Sequence, residues 1–160
     1  MKTTSTTFIS IICISLLFSS CKKEDPIVSG NGISSTKTLQ IAPITGIDTK
    51  IFVDTVIIQH GATQQIQAVG DSNILSKITT EIIENKWQIA FKPGTTYINY
   101  KIKIYITLPQ ITYAYNHADG IINIGRFTNQ SQLSIGVIGN GKLWMRSEER
   151  RVGKECATLC

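Results

Sequence analysis

The chain has 160 residues, of which 42% are hydrophobic and 17% charged. That length predicts one domain, and that composition excludes a wholly disordered chain. The formal net charge is +5, yet Cys21–Met145 holds 11 Lys/Arg against 8 Asp/Glu, with scattered lysines and Arg126 as the only arginine. A phosphate-binding groove needs clustered cations, so no nucleic-acid partner is predicted. Cys13, Cys21, Cys156 and Cys160 lie toward the two ends. No disulfide framework or cysteine zinc site is therefore expected to support the fold.

The first segment, "MKTTSTTFISIICISLLFSSC", places Lys2 ahead of an apolar run from Phe8 to Phe18, then Ser19 and Ser20. This order predicts a secretory signal peptide over residues 1–20. The run is shorter than the roughly 20 apolar residues that a spanning helix needs. Leu17, Phe18, Ser19 and Ser20 leading into Cys21 resemble the lipobox of bacterial lipoproteins. The resemblance implies a thioether-linked diacylglycerol on Cys21, cleavage before it and an acylated amine. Such chains anchor a protein in a membrane, each buried methylene contributing about 0.8 kcal/mol. Lys23, Glu24 and Asp25 follow at once, and resemble the Lys-acidic-acidic surface-export signal of some Gram-negative lipoproteins. Charge runs are otherwise solvated spacers. Pro26 and the Ser/Gly-rich stretch behind it read as a flexible tether, over 21–37.

The body reads as strands. Ile51 and Val53, then Val56 to Ile58, mark one strand or a bent pair, and "HGATQQ" turns into Ile66 and Ala68. In "DSNILSKI", Ile74, Leu75 and Ile78 fit one short helical turn, capped by Asp71 or Ser72. Trp87, Ile89 and Phe91 alternate, which places Trp87 in the core, and "KPGTT" turns into the longest alternation. There Ile98, Tyr100, Ile102, Ile104, Ile106 and Leu108 predict a buried face, Tyr100 included, and Tyr105 lies on the wet face. Pro109 ends that strand. From Ile111 the apolar runs shorten: Ile111/Tyr113/Tyr115, Ile121/Ile122/Ile124, Leu133/Ile135/Val137 and Leu143 recur at roughly ten-residue intervals between Asn, Asp and Gly. Short strands broken by such corners predict an all-β domain, a β-solenoid with a β-sandwich as the alternative.

Several residues in this body resemble one family. Gly30-Asn31-Gly32, "ITGID" at Ile44–Asp48, the strand into "QHG", "NILSKI", the lysine-bearing strand ending in Leu108-Pro109, and "GVIGNGKLW" are similar to the putative auto-transporter adhesin, head GIN domain family of bacterial lipoproteins. The resemblance runs from about Gly30 to Trp144. It implies a right-handed parallel β-helix-like fold, a cell-envelope location and an adhesive or structural role; with the Cys21 motif the expected location is the outer membrane, lipid-anchored, and the Lys23-Glu24-Asp25 signal leaves surface exposure open beside the spacer reading. It brings no catalytic residues and no cofactor. The family's Gly-rich repeats continue further than they do here, so the domain, over 38–145, is expected to be incomplete at its C-terminal end.

Candidate chemistry in the body is sparse. "GVIGNGKL" fits G-x-x-x-x-G-K, but a phosphate-binding loop needs Ser or Thr at Leu143 and a helix after it. His60 and His117 are the only histidines; "NHADG" around His117 reads as a turn rather than as one edge of a calcium or sugar site. Glu81 and Glu84 do not share a strand face, which argues against a polysaccharide lyase, the enzymatic alternative. Tyr105, on the wet face, is the candidate for contact with a glycan or protein ligand. No catalytic or metal-binding set is predicted.

The last stretch, "RSEERRVGKECATLC", over 146–160, carries four basic and three acidic residues with Cys156 and Cys160. It resembles one reading frame of a sequencing-library adapter. It is expected to be an artefact that contributes nothing to the fold.

Overall fold

A computed structural model of the chain describes residues 25–127 and 132–146. Cys21, Lys23, Glu24 and nearly all of the terminal stretch lie outside the described residues; Asp25 is exposed ahead of the first strand. In chain order the elements are β1 (Ile27–Ser29), β2 (Ser34–Thr38), β3 (Gly46–Thr49), β4 (Val53–His60), β5 (Gln65–Asp71), α1 (Ser72–Leu75), β6 (Ile82–Ile83), β7 (Lys86–Ile89), β8 (Thr96–Ile98), β9 (Ile102–Leu108), β10 (Tyr113–Asn116), β11 (Gly120–Ile124), β12 (Ser134–Val137) and β13 (Lys142–Met145). The protein is all-β with mixed sheets, and its one helical turn falls where the "NILSKI" spacing predicts it.

One sheet has the order β13-β11-β4-β9-β5-β2, and a second the order β12-β10-β3-β7-β6. Within them β13, β11, β4 and β9 are parallel, as are β12, β10, β3 and β7. The two parallel ladders stack in matching order, because β3 leads into β4, β10 into β11 and β12 into β13. Tyr113 pairs with Ser134 and Ile121 with Lys142, 21 positions on in both ladders. The ten-residue rhythm of the sequence is thus one strand and one corner, and two of these make the repeat. The corners join the stack: Lys50 N donates to Ile89 O, His117 N to Thr49 O and Ile138 N to Asn116 O. Antiparallel β5 and β2 extend one sheet beyond β9, and antiparallel β6 extends the other beyond β7.

Alternation sets which side chains enter the core. Val56, Ile58, Ile104, Ile106 and Ile122 from one sheet join Ile47, Trp87, Ile89 and Ala114 from the other in a single buried cluster. Burying each such branched chain contributes about 1.5–3 kcal/mol. Trp87 is fully buried, and its indole N–H donates to Thr79 O at 2.8 Å.

Three local expectations need correction. The alternation predicted from Ile98 breaks at Asn99, where φ is 48°. That left-handed turn separates β8 from β9, and leaves Ile98 exposed. Tyr100 is accordingly half-buried rather than core; its ring packs edge-on against Phe91 and its hydroxyl donates to Phe52 O at 3.2 Å. Second, β1 and β2 lie within the stretch read as tether. β2, "SSTKT", is exposed throughout and has no apolar side chain, so only its backbone pairing with β5 holds it. Third, Asp71 makes no side-chain cap on α1. Its carboxylate accepts instead from Gly32 N at 2.7 Å and Lys101 N at 2.8 Å, tying the Gly30–Gly32 loop to the start of β9. A Cβ at Gly30 would meet Asn99 O and Asp71 Oδ2 at 2.6 Å, so there is no room for a side chain at that position.

Candidate functional site

The two sheets turn very different outer faces to solvent. On the six-stranded sheet the register aligns Thr38, Gln67, Tyr105, Ile57, Asn123 and Trp144 in one row across all six strands. The neighbouring row holds Val69, Lys103, Thr55, Ile121 and Lys142. Tyr105 is 41% exposed and Trp144 61%. Strands sit about 4.8 Å apart, so these two rings stand roughly 14 Å from each other along the row. Among the described residues neither ring contacts another aromatic ring, and neither Lys103 nor Lys142 makes an ion pair. At the β13 end an open depression of about 1180 Å³ has Gln59, Asn123, Arg126, Trp144 and Arg146 in its lining.

The five-stranded sheet carries more chemistry, but its groups satisfy one another. Tyr113 and Tyr115, two apart on β10, stack with centroids 4.4 Å apart and planes 11° from parallel. Lys86 Nζ sits 4.4 Å from the Tyr113 centroid and bonds Glu84 at 2.9 Å. That contact holds the Glu84 carboxyl below its ordinary range and the Lys86 ammonium above its own. Burial, and then the nearby Asp48, push the Tyr113 phenol up. The Tyr115 ring lies where a Cβ on Gly136 would be, at 2.4 Å, so glycine there makes room for the stack. Asp48 Oδ2 meets Lys50 Nζ at 2.8 Å, and its Oδ1 lies 3.0 Å from His117 Nε2. The second is a close approach without a hydrogen bond: Oδ1 is buried and accepts no well-aligned bond. Stacked faces and neutralised charges leave this sheet little to offer a large ligand.

The remaining sequence candidates resolve locally. His117 belongs to the β10–β11 corner, where Asn116 accepts from Ala118 N and donates to Gly120 O, as expected of a turn. His60 closes β4, its ring edge-on to Phe127 at 5.6 Å. "GVIGNGKL" is strand, corner and strand, with Gly139 at φ 111°. Glu81 precedes β6, and Glu84 sits at φ 51° in the β6–β7 turn. Among the described residues no three His, Cys, Asp or Glu side chains gather as a metal site. Tyr105 could be assigned to the outer face by parity. Its row partners could not, because parallel register between β4, β11 and β13 leaves no local mark in the sequence.

Stacked parallel ladders extended by antiparallel strands define an all-β domain of mixed sheets. Residues 52–158 match the family model described as putative auto-transporter adhesin, head GIN domain, and the chain belongs to that family. The match starts later than Gly30 and runs through much of the terminal stretch. A comparison with curated proteins gives no match. Solved structures with a similar fold include a putative adhesin from Parabacteroides merdae, at 21% identity and TM-score 0.59, with 76% of this chain and 55% of that one covered. A putative lipid binding protein from Parabacteroides distasonis gives 17% and 0.61, covering 76% and 52%. A putative adhesin from Bacteroides fragilis gives 17% and 0.55, covering 74% and 58%. The chain spans a little over half the length of these proteins.

Proposed function

We propose that the chain is a lipid-anchored, non-catalytic binding domain of the bacterial cell envelope, working through the outer face of its six-stranded sheet. The observation that carries this reading is the row containing Tyr105 and Trp144, exposed aromatics in register on the outer face of one sheet. The matched ladders, repeating every 21 residues across β10–β13, support a right-handed β-solenoid in which further rungs stack on β12 and β13. Family membership supports an envelope location. The Cys21 motif supports a lipid anchor in the outer membrane, and Lys23, Glu24 and Asp25 support export to its surface. An enzyme acting on polysaccharide is the second reading; the shared ancestry with proteins described as adhesins favours the first.

A glycan and envelope-protein array probed with the full chain tests the assignment. Saturable binding with no change in the ligand is expected, and turnover of any glycan overturns it. Mass spectrometry of the mature N-terminus is expected to find an acylated Cys21, while protease treatment of intact cells reports surface exposure. Genomic sequence across the Met145 codon separates a native ending from an adapter-derived one.

A further inference from the structure

The outer face of the six-stranded sheet has an unbalanced charge. Lys103 and Lys142 point outward from β9 and β13, and no Asp or Glu occupies an outward position in their row or in the neighbouring row of Tyr105 and Trp144. Two nearby carboxylates are engaged by the backbone. Asp54 Oδ2 accepts from Ile102 N at 2.8 Å, and Asp71 is buried against the Gly32 and Lys101 N–H groups. Asp48 and Glu84 belong to the opposite sheet and are paired with lysines there. Lysines without an ion pair among the described residues, exposed rings about 14 Å apart and amides at Gln67 and Asn123 are complementary to a polymer of ring-shaped units bearing carboxylates. Aromatic faces pack on the apolar faces of sugar rings, amides bond hydroxyls, and lysines meet the acids.

We propose that this face binds an acidic polysaccharide, a uronate-bearing chain laid across the strands from Tyr105 to Trp144 with Lys103 and Lys142 along one side of it. The proposal rests on the binding-domain reading above, and adds the ligand class and its path. The two lysines are three strands apart along one row rather than clustered, which suits the spaced carboxylates of a uronate chain better than the dense phosphates of a nucleic acid.

The test titrates the full chain, in neutral detergent, with polygalacturonate fragments, a neutral glucan and single-stranded DNA, followed by calorimetry and tryptophan emission. Polygalacturonate is expected to bind saturably and to weaken as salt is raised. Tyr105→Ala and Trp144→Ala should each weaken it about tenfold, with an unchanged thermal transition. Lys103→Glu should weaken it more and flatten the salt dependence. Equal binding of the neutral glucan overturns the charge argument while leaving the binding-domain reading in place. Equal or tighter DNA binding overturns the ligand class, and so does an absence of polygalacturonate binding. Binding indifferent to Tyr105→Ala and Trp144→Ala overturns the location. New reducing ends would instead defeat the binding-domain reading itself.

Discussion

At the scale of single residues, the side chains that shape the domain most are the ones that serve backbone groups. Asp71 is 6% exposed and accepts from two main-chain N–H groups far apart in sequence. Asp71→Ala removes the acceptor of two part-buried bonds and is expected to cost about 1.5–3 kcal/mol, since bonds to a charged acceptor lie at the strong end of the range. Chemical denaturation measures this, and a loss below about 0.5 kcal/mol would show that the Gly30–Gly32 loop does not depend on the carboxylate. Tyr100 gives a pH-dependent counterpart. Burial, and then Asp54, raise its phenol above the usual value near 10. The folded state therefore holds the proton longer than the unfolded chain does. The stability from the neutral phenol is complete below that ordinary value and is lost as pH rises through the folded one. Tyr100→Phe should flatten the alkaline limb of the stability curve; an identical limb in both proteins would assign the effect to other groups. Neither residue's task could be read from the sequence. Asp71 reads there as a helix cap and Tyr100 as core, because their real partners, Gly32, Lys101 and Phe52, are set by tertiary packing.

Single elements were legible to the extent that one face is buried. β9 declares itself by alternation, since Ile102, Ile104, Ile106 and Leu108 are all buried, and Trp87 and Ile89 do the same for β7. β2 has no such face and was invisible. The break at Asn99 was equally silent, for Asn tolerates the left-handed region without announcing it. Corners depend on glycine in a way that can be measured. Gly120 opens β11 at φ 122°, and a Cβ there would stand 2.1 Å from Val53 O. Gly120→Ala combines a forbidden backbone conformation with a backbone collision, and is expected to cost about 2–4 kcal/mol. The loss should appear in hydrogen exchange as early opening of β11, while β9 stays protected by β4 and β5. Uniform loss of protection across the sheet would mean that the corner and the core open together.

On the scale of the whole molecule, the two ends of the ladders differ. At the β7–β9 end the antiparallel strands β5, β2 and β6 continue the sheets, and blunt what would otherwise be parallel edges. At the β12–β13 end no described strand follows. Ile135 is in register with buried Ala114, Val137 with buried Asn116, and Met145 with buried Ile124, so all three face inward. They are nevertheless 44%, 39% and 46% exposed. Inward-facing apolar side chains open to water beside free strand edges are a template for association. The 160-residue chain is thus expected to self-associate through β12 and β13, with light scattering that grows with concentration. Val137→Lys places a charge in that layer, where no described residue lies above to be displaced, and should reduce the scattering at little cost to the thermal transition. The same substitution in a protein whose ladders continue past β13 should be severely destabilising, because the lysine would then be buried. A sharp, cooperative, monomeric transition for the unsubstituted chain would mean that the described end is already covered.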